Sequence, residues 1–542
     1  MIELQQTWML PALIAIPFIA GLLCWLVEKV NKRLPRWIAL IGMILTFILS
    51  LVLWQYGDFS GMSEQVISPR AAAPWFAEFN MPWIPIFGIS FYLAMDGMSL
   101  LMVALTGLLG IAAVACSWNE IQRRVGFFHL NLLWSLGGVI GVFLALDMFL
   151  FFFFWEMMLV PIYFLIAIWG HDVAGGKTKE YAATKFFIYT QLSGLIMLVG
   201  ILLLVIISYA QSGLLSFNYN DLLGTSLHGW EYPIMLCFFI GFAVKLPIMP
   251  FHGWLPDAHA QAPTAGSVDL AGVLIKTAAY GLIRFVLPLF PAASQDFAPI
   301  AMTLGTIGIF YGAWLAFMQT DMKRLLAYTS ISHMGFVVLA IYAGTLLSLQ
   351  GLMVQMLAHG LSSAALFIMA GQLYERLHTR DLTVMGGIWG QFRYYAPLLM
   401  FFCAALLGIP GTGNFIGEFM ILFGTFNQYP VFVVLATFSL VLAGLYSLVL
   451  IHQALFGANN IKEVARHETK SHGLPQRPLK DLGKREISLL LVLAGGLVWL
   501  GLYPQPILDT SSHAMQWINN AYIYSEVTQL NIPQSLDAME VR

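Results

Sequence analysis

The chain alternates long apolar runs with short polar connections over most of its length. About 14 of these runs reach or approach the roughly 20 mostly apolar residues that a helix needs to cross a bilayer. The pattern therefore predicts an all-α polytopic membrane protein with about 14 transmembrane helices. The runs lie at 8–27, 37–56, 92–117, 127–146, 148–169, 184–209, 232–251, 266–287, 299–318, 326–344, 349–373, 395–424, 431–455 and 487–504.

Composition supports a membrane location. Of the 542 residues, 59% are hydrophobic and only 10% are charged, whereas soluble domains carry roughly 25% charged residues. The formal net charge of −2 gives no indication of nucleic-acid binding. The first apolar run lacks a preceding basic region and is long enough to span. It is therefore predicted to be the first helix and not a cleaved signal.

Basic residues are distributed unevenly among the connections. With the first connection placed in the cytoplasm, 20 of the 26 Lys and Arg residues fall in connections on the cytoplasmic side. Short cytoplasmic connections are enriched in Lys and Arg in membrane proteins. The distribution therefore supports the number of spans and predicts that both termini face the outer side.

Two of the runs are interrupted at matching places. Pro247 and Pro250 interrupt the seventh run, and Pro410, Gly411 and Gly413 interrupt the twelfth. Broken helices at corresponding positions of two halves indicate a transport site. Spans four to eight and nine to thirteen are thus predicted to form two five-helix repeats, inverted because each has an odd number of helices. A simple packing kink is the alternative.

These patterns divide the chain into five regions. Helices 1–3 occupy residues 1–126, the first inverted repeat 127–290 and the second inverted repeat 295–456. A polar connector and helix 14 occupy 457–504, and residues 505–542 form a C-terminal tail without an assigned role. No segment outside the spans is expected to form a folded domain.

Four ionisable residues lie inside apolar runs: Glu156, Lys245, Lys276 and Glu418. A charge at mid-bilayer depth is costly, so such residues mark functional sites. Burial disfavours the charge of a lysine and a nearby carboxylate favours it. Glu156 with Lys245 therefore predicts a proton switch. The alternatives are a static ion pair for Glu156 and lysine side chains that extend to the membrane surface.

His333 and His359 lie in spans ten and eleven. A lone histidine in a helix is often a hydrogen-bonded core residue, but these two fall between Lys276 and Glu418 in chain order. Histidine exchanges protons near neutral pH, so both are candidates for a relay. The chain order predicts a relay that runs Glu156, Lys245, Lys276, His333, His359, Glu418.

Other polar residues give weaker signals. Asp269 shares a helix with Lys276 and is a minor candidate, and Asp96 is expected at the membrane interface. The connection 250–264 contains two histidines and Asp257, but their spacing fits no standard zinc pattern. It is predicted to form a structured inner turn that lines a proton path.

Cofactor motifs are absent from the sequence. Gly176, Lys177 and Thr178 resemble the end of a phosphate-binding loop, but His171 stands where the earlier glycine is required. No Cys-x-x-Cys occurs, so an iron–sulfur or zinc site on this chain is not expected. The four cysteines lie far apart, at Cys24, Cys116, Cys237 and Cys403.

Several segments together resemble a known family, the antiporter-like subunits of respiratory complex I. They are Glu156 in the fifth span, FFIGFAVKLPIMPFHGWLPDAHAQAPT, Lys276 in VLIKTAAYGLIR, and DMKRLLAYTSISHMGF. The resemblance covers roughly residues 90–460. The same superfamily includes Mrp-type cation/proton antiporters and membrane-bound hydrogenases. Related subunits often carry lysine at the position of Glu418. With glutamate there, the chain most resembles one antiporter-like subunit of the bacterial NADH–quinone oxidoreductase.

The resemblance implies a proton-translocating subunit in the membrane arm of a NADH:quinone oxidoreductase. It implies a multi-pass protein of the bacterial inner (plasma) membrane, with both termini on the periplasmic side. The buried glutamates, lysines and histidines would carry protons. No cofactor is expected on this chain, because FMN, iron–sulfur clusters and quinone reduction belong to other subunits of that enzyme. The implied partners are other membrane-arm subunits, including related antiporter-like subunits, the lipid bilayer and protons.

Two other functions remain open. The chain resembles a subunit of a multisubunit Mrp-type sodium/proton antiporter, or of a membrane-bound hydrogenase, almost as well. A purely structural membrane scaffold is the third possibility. The embedded charges argue against a scaffold, because buried charges cost stability without improving packing.

Overall fold

The structure is a computed structural model that describes residues 2–57, 75–172, 177–457 and 479–530. Within these ranges, twelve helices are long and apolar enough, by length and composition, to cross a membrane. Two shorter apolar helices accompany them. Most of the described chain is helical, and the described residues also include one two-stranded sheet.

The main elements follow one another in an order close to that of the predicted spans. In chain order they are α1 (Ile2–Val27), α2 (Leu34–Tyr56), β1 (Ala77–Ile84), β2 (Ile89–Met95), α3 (Gly97–Glu120), α4 (Val125–Leu144), α5 (Met148–Trp169), α6 (Lys179–Ser212), α7 (Glu231–Lys245), α8 (Leu255–Gln261), α9 (Thr264–Leu289), α10 (Pro291–Phe317), α11 (Met322–Tyr342), α12 (Leu346–Leu377), α13 (Tyr395–Leu407), α14 (Gly413–Phe426), α15 (Pro430–Phe456), α16 (Lys484–Leu502) and α17 (Gln505–Leu530). Short helical turns cover Pro85–Phe87, Tyr219–Leu222, Phe251–Trp254 and Ile388–Gln391.

The two interrupted runs of the sequence are broken helices. The run at 232–251 ends as a helix at Lys245, and α8 follows after a turn. The run at 395–424 consists of α13 and α14, which are separated at Gly408. Gly408 adopts a left-handed conformation with φ of 77°, which favours glycine. Each predicted break therefore corresponds to a helix end followed by a new helix.

The third predicted span, 92–117, begins too early. Its first four residues belong to β2, which pairs with β1 in an antiparallel hairpin from Ala77 opposite Met95. Asp96 then starts α3, because its side chain accepts a hydrogen bond from the Ser99 backbone N–H at 2.9 Å. A short apolar run has the same composition in a buried strand as in a helix, so the sequence did not separate the two elements.

The C-terminal region contains a helix that was not predicted. Residues 505–530 form α17, whose side chains Met515, Trp517 and Ile518 are buried against the helical bundle. This helix is too polar to count among the helices that could cross a membrane, which explains why the hydropathy pattern did not predict it. The rest of the predicted tail, and most of the connector that begins at 457, lie outside the described residues.

The most deeply buried helices form the centre of the bundle. In α9 and α12, the apolar stretch of 18 residues that could cross a membrane is buried along its whole length. Only 22% of the corresponding stretch of α16 is buried. The helix α9 is further distinguished by two π-helical turns, Leu270–Leu274 and Leu282–Val286, on either side of the α-helical segment Ile275–Gly281. A π turn interrupts the regular hydrogen-bond ladder and often occurs at functional sites.

The bundle has two distinguishable ends. The hairpin end contains β1, β2 and the beginning of α3. The opposite end, called the Asp257 end below, contains the end of α3 and the beginnings of α9 and α11. Glu120 joins the end of α3 to the beginning of α9 there by accepting a hydrogen bond from the Thr264 N–H at 3.0 Å.

Candidate functional site

Lys276 lies at the centre of the bundle, on the segment of α9 between the two π turns. Its side chain is fully buried. The Nζ atom donates a hydrogen bond to the Ala271 carbonyl, which belongs to the first π turn. It also lies 2.8 Å from Nδ1 of His359 on α12. A backbone carbonyl and an imidazole thus share the ammonium group.

The two histidines continue the line away from Lys276. The ring centroids of His359 and His333 are 5.4 Å apart. Nδ1 of His333 lies 2.9 Å from Oε1 of Glu418. The spatial order is therefore Lys276, His359, His333, Glu418. The chain order predicted the two histidines the other way round and was wrong on this point, because α12 lies between α9 and α11 at this depth.

Glu418 sits in a polar environment built by three helices. Gln355 on α12 donates from Nε2 to Oε1 of Glu418 at 3.1 Å. Tyr446 on α15 lies 3.4 Å from the other ring nitrogen of His333. All of these side chains are buried. The Glu418 carboxyl group therefore has hydrogen-bond donors within the protein, where it is shielded from lipid and bulk water.

The helix break positions Glu418. Asn414, in the first turn of α14, donates from Nδ2 to the Ala405 carbonyl in the last turn of α13 at 2.7 Å, and the same carbonyl accepts from the Gly408 N–H at 3.1 Å. The same nitrogen lies 3.1 Å from the Ser362 hydroxyl of α12. Glu418 follows Asn414 by about one turn and so points to the same side of α14.

The first break is closed in a corresponding way. Trp254 donates from its indole nitrogen to the Val244 carbonyl at 2.7 Å, in the last turn of α7. The next residue, Lys245, is fully buried. In both breaks, a side chain from beyond the break donates to a carbonyl in the last turn of the first helix. Each break also carries one of the ionisable residues singled out in the sequence.

Lys245 contacts Trp155 and not Glu156 directly. Its Nζ atom lies 3.5 Å from the centroid of the Trp155 ring and 3.4 Å from the Trp155 carbonyl. Glu156 is the next residue on α5, and no ion pair joins it to Lys245 among the described residues. Its Oε1 lies against Gly194 of α6, where a larger residue would collide with it. Glu156 and Lys245, the acid and base expected to pair, are therefore not paired directly. The lysine contacts the Trp155 ring instead.

A charged cluster at the Asp257 end was not predicted. Asp257 accepts hydrogen bonds from Lys177 at 2.9 Å, Lys185 at 2.8 Å and Arg324 at 2.8 Å. Burial raises the pKa of the carboxyl group, but the hydrogen bonds from these three cations outweigh it and leave the pKa lowered. The donors lie up to 80 residues away in sequence, so no local motif indicates the cluster.

A second polar group lies beside it. Glu120 accepts from the Thr264 N–H and contacts Nε2 of His171 at 3.0 Å. Burial, followed by the charges of nearby lysine and arginine residues, lowers the pKa of His171 to about 3. His171 is therefore neutral at pH 7, and Nε2–H donates to Glu120. Lys323, at the start of α11, donates to the Ala262 carbonyl at 2.9 Å.

The remaining candidates lie away from this line. Asp269 is fully buried and accepts a hydrogen bond from the Ser135 hydroxyl at 2.6 Å. Asp96, which was expected at the membrane interface, lies at the hairpin end of the bundle, where it is 5% exposed and paired with Arg284. The His252 side chain lies against the Tyr311 ring, and His259 stacks on Phe367. Among the described residues, no cluster of three metal-ligating side chains occurs.

A polytopic helical fold with a central line of buried acidic and basic side chains defines an ion-translocating class of membrane protein. Comparison with known proteins gives the family. Residues 145–443 match the family described as NADH:quinone oxidoreductase/Mrp antiporter, TM. The chain belongs to this family, and the resemblance seen in the sequence is confirmed.

Individual relatives cover nearly the whole chain. The chain is 60% identical over 522 residues to NADH-quinone oxidoreductase subunit M of Escherichia coli (strain K12), which covers 96% of this chain and 99% of that protein. It is also 60% identical over 518 residues to the subunit M of Pseudomonas aeruginosa. The resemblance to one particular antiporter-like subunit of the bacterial NADH–quinone oxidoreductase, which Glu418 suggested, is therefore confirmed.

The fold is shared with a solved structure. A chain of "Respiratory complex I from Thermus thermophilus with bound NADH" superimposes with a TM-score of 0.81 at 26% sequence identity. The superposition covers 95% of this chain and 99% of that one. The predicted class, an all-α polytopic membrane protein of the antiporter-like type, is confirmed.

Proposed function

We propose that this chain translocates protons as a membrane-arm subunit of a NADH:quinone oxidoreductase. The proton path comprises Glu156, Lys245, Lys276, His359, His333 and Glu418. The observation that carries the proposal is the line from Lys276 to Glu418, in which hydrogen-bond distances join Lys276 to His359 and His333 to Glu418, and the centroids of the two imidazole rings lie 5.4 Å apart. The 60% identity to NADH-quinone oxidoreductase subunit M supports the same function.

The central step is a proton transfer between Lys276 and His359. The 2.8 Å separation allows the Lys276 ammonium to donate to Nδ1 of a neutral His359. The Ala271 carbonyl holds the lysine in place while its charge changes. Nε2 of His359 has no hydrogen-bond partner in the part of the chain that the structure describes, so it is free to release a proton toward His333.

The second step delivers the proton to Glu418. His333 receives it on one ring nitrogen and passes it from Nδ1 to Oε1 of Glu418, 2.9 Å away. Neighbouring titratable groups interact electrostatically, so each transfer changes the affinity of the next group for a proton. A single disturbance at one end of the line therefore moves along it stepwise.

Lys245 and Glu156 act as the switch at the start of the line. The Trp155 ring stabilises the Lys245 ammonium through a cation–π interaction, which is worth about 2 kcal/mol when desolvated. Movement of Lys245 from this ring toward Glu156 would form an ion pair and change the field at Lys276.

The two broken helices support an internal duplication. We propose that 127–290 and 295–456 form two inverted five-helix repeats, with helices 1–3 in 1–126. Residues 457–504 then form the connector and the last helix, followed by the tail 505–542. The matching use of Trp254 and Asn414 to close the breaks supports this division.

The proposal extends to location and partners. The chain resides in the bacterial inner membrane with both termini on the periplasmic side, as the basic residues indicate. Its partners are other membrane-arm subunits, including related antiporter-like subunits. FMN, iron–sulfur clusters and quinone belong to those other subunits, and no redox group is assigned to this chain, whose four cysteines are widely separated in sequence.

The test compares two lysines in the intact complex in sealed membrane vesicles. Lys276→Ala removes the central proton donor and is expected to abolish NADH-driven proton uptake. Lys29→Ala changes an exposed residue between α1 and α2 and is the matched control. Undiminished uptake by Lys276→Ala, with normal assembly, would contradict the proposal.

A sodium/proton antiporter is the second candidate, because the matching family also includes Mrp antiporters. The subunits that purify with the chain decide between the two functions. Flavin- and iron–sulfur-containing partners support the oxidoreductase. Sodium-dependent proton movement without such partners supports the antiporter.

A further inference from the structure

The hairpin end contains a deeply buried ion pair, although burying charged groups costs stability. Arg284 on α9 donates from Nη2 to Oδ2 of Asp96. The arginine is fully buried and the aspartate is 5% exposed. Removing both charges from water is costly, and an apolar pair of similar size often stabilises a protein as well or better. The pair therefore calls for a function other than stability.

Both partners are held in several ways. Oδ1 of Asp96 caps α3 through the Ser99 N–H, while Oδ2 takes Arg284. The guanidinium group lies 4.9 Å from the Trp75 ring and 5.5 Å from the Tyr280 ring. Among the described residues, its Nε and Nη1 atoms have no hydrogen-bond partner. The aromatic rings and a single carboxylate thus determine the position of the arginine.

Arg284 belongs to the second π turn of α9. The backbone carbonyl of Arg284 accepts a hydrogen bond from the Tyr219 hydroxyl at 3.0 Å. Tyr280, one turn earlier, donates from its hydroxyl to the Phe143 carbonyl at 2.9 Å and lies 3.0 Å from the Ser99 hydroxyl. The second π turn is therefore tied through Arg284 to Asp96 at the start of α3 and to the short turn that contains Tyr219, while Tyr280 ties the preceding α-helical segment to α3 and α4.

The first π turn is tied to Lys276 itself. The Ala271 carbonyl of that turn accepts from Lys276 Nζ. The α-helical segment Ile275–Gly281 lies between the two turns. Conversion of one π turn to regular α-helix would shift the helix by one residue and rotate the adjoining segment by about 100°. The direction of the Lys276 side chain thus depends on both turns.

We propose that Asp96 and Arg284 are positioning residues for Lys276. Their ion pair holds the second π turn of α9 in place and thereby keeps Lys276 Nζ within reach of His359. Arg284 follows Lys276 by eight residues, or about 12 Å along the helix. It therefore acts through the helix and not by contact. This inference rests on the proposed function, in which Lys276 passes protons to His359.

The experiment uses the intact complex in sealed vesicles. Asp96→Asn retains a side-chain oxygen that caps α3 but removes the charge that pairs with Arg284. Proton uptake per assembled complex is expected to fall by at least about threefold, within the range of long-distance coupling effects. Amide hydrogen exchange in 270–286 is expected to accelerate, which a role confined to assembly would not produce.

A double variant keeps the test decisive if Asp96→Asn does not assemble. Asp96→Asn with Arg284→Gln leaves no unpaired buried charge. The matched control is Glu486→Gln, because Glu486 also accepts from a backbone N–H, that of Gly483 at 2.7 Å, and pairs with Arg376 at 2.8 Å. The control is expected to retain normal uptake and normal exchange in 270–286.

Lys276→Ala in the same assay separates the two inferences. Loss of uptake in Lys276→Ala, with uptake in the Asp96 and Arg284 variants equal to that of the control, would overturn the positioning role alone. Normal uptake in Lys276→Ala would overturn the proposed function and this inference with it. Reduced uptake with faster exchange in either Asp96 variant supports the positioning role.

Discussion

Glu418 accepts hydrogen bonds from His333 and Gln355, and it ends the described line of contacts. Glu418→Gln keeps the size of the side chain but removes the group that gains and loses a proton. We expect proton uptake to fall by roughly a hundredfold, which is typical of a positioned proton-transferring group. Coupled NADH oxidation is expected to slow as well.

Glu418→Asp serves as the conservative comparison. Aspartate retains the carboxyl group but shortens the side chain, so partial uptake is expected. Both rates are measured in sealed vesicles with the same amount of assembled complex. Equal, undiminished rates in the Gln variant would make Glu418 a packing residue and place the end of the path elsewhere.

Asp257 gives a prediction that depends on pH. Its lowered pKa means that the folded protein favours the carboxylate, mainly through Lys185, Lys177 and Arg324, which overcome the effect of burial. The resulting stability is present above about pH 4, the unfolded value for aspartate. It is lost as the pH falls through the lower pKa of the folded state.

Asp257→Asn removes this contribution. We expect a loss of about 1–2 kcal/mol at pH 7, a discounted value because the three cations are partly exposed. The thermal midpoints of the original and Asn proteins are expected to differ at pH 7 and to converge below pH 4. A difference that grows as the pH falls would contradict the lowered pKa.

At the scale of elements, α12 and α14 approach each other closely at Gly417. A Cβ atom added there would lie 2.6 Å from Oε1 and 2.8 Å from Cα of Gln355. Gly417→Ala is therefore expected to separate the helices and displace Gln355 from Glu418. Such overpacking costs about 1–3 kcal/mol. Proton uptake by the assembled complex is expected to decrease.

Gly495→Ala is the matched change. Gly495 also lies within a helix, α16, but a Cβ added there meets no atom of the described residues within 4 Å. Alanine favours helix by about 1 kcal/mol over glycine, so stability is expected to hold or increase. Equal uptake by the two variants would show that the contact between α12 and α14 does not govern Glu418.

The sequence predicted elements better than contacts. Long apolar runs identify spanning helices, and Pro250 and Gly411 identify the breaks, because both signals are local. The charged residues at the breaks, Lys245 and Glu418, were predicted from the same local pattern. The hairpin strand at 92–95 and the polar helix α17 were missed, because a short apolar run and a polar segment have no periodicity that marks them.

The order of His333 and His359 shows the limit of such reasoning. Chain order places His333 next to Lys276, but packing places α12, with His359, between α9 and α11. The direct neighbour of Lys245 is Trp155, an aromatic residue among many in the run 151–155. The partners of Asp257 are equally non-local. Contacts between distant segments depend on packing that one sequence does not encode in a readable pattern.

At the scale of the whole molecule, orientation remains a prediction. Cysteine introduced at position 466, in the connector, is expected to react with a membrane-impermeant reagent from the cytoplasmic side. Cysteine at position 520, on α17, is expected to react from the periplasmic side. The uneven distribution of Lys and Arg is the reason.

The native cysteines are replaced first, and intact cells are compared with inverted vesicles. Reaction of both positions from the same side would require an even number of spans between them. It would also exclude the predicted placement of the connector and the C-terminal region.

The contact between Lys276 and His359 has an evolutionary consequence. The two residues belong to different proposed repeats, 127–290 and 295–456, so the proposed proton step lies where these repeats meet. If the repeats descend from one duplicated gene, the single ancestral unit held only half of this step. That ancestor required a second copy of itself, inserted in the opposite sense, before it conducted a proton. Gene fusion would then have made permanent a partnership between two antiparallel copies.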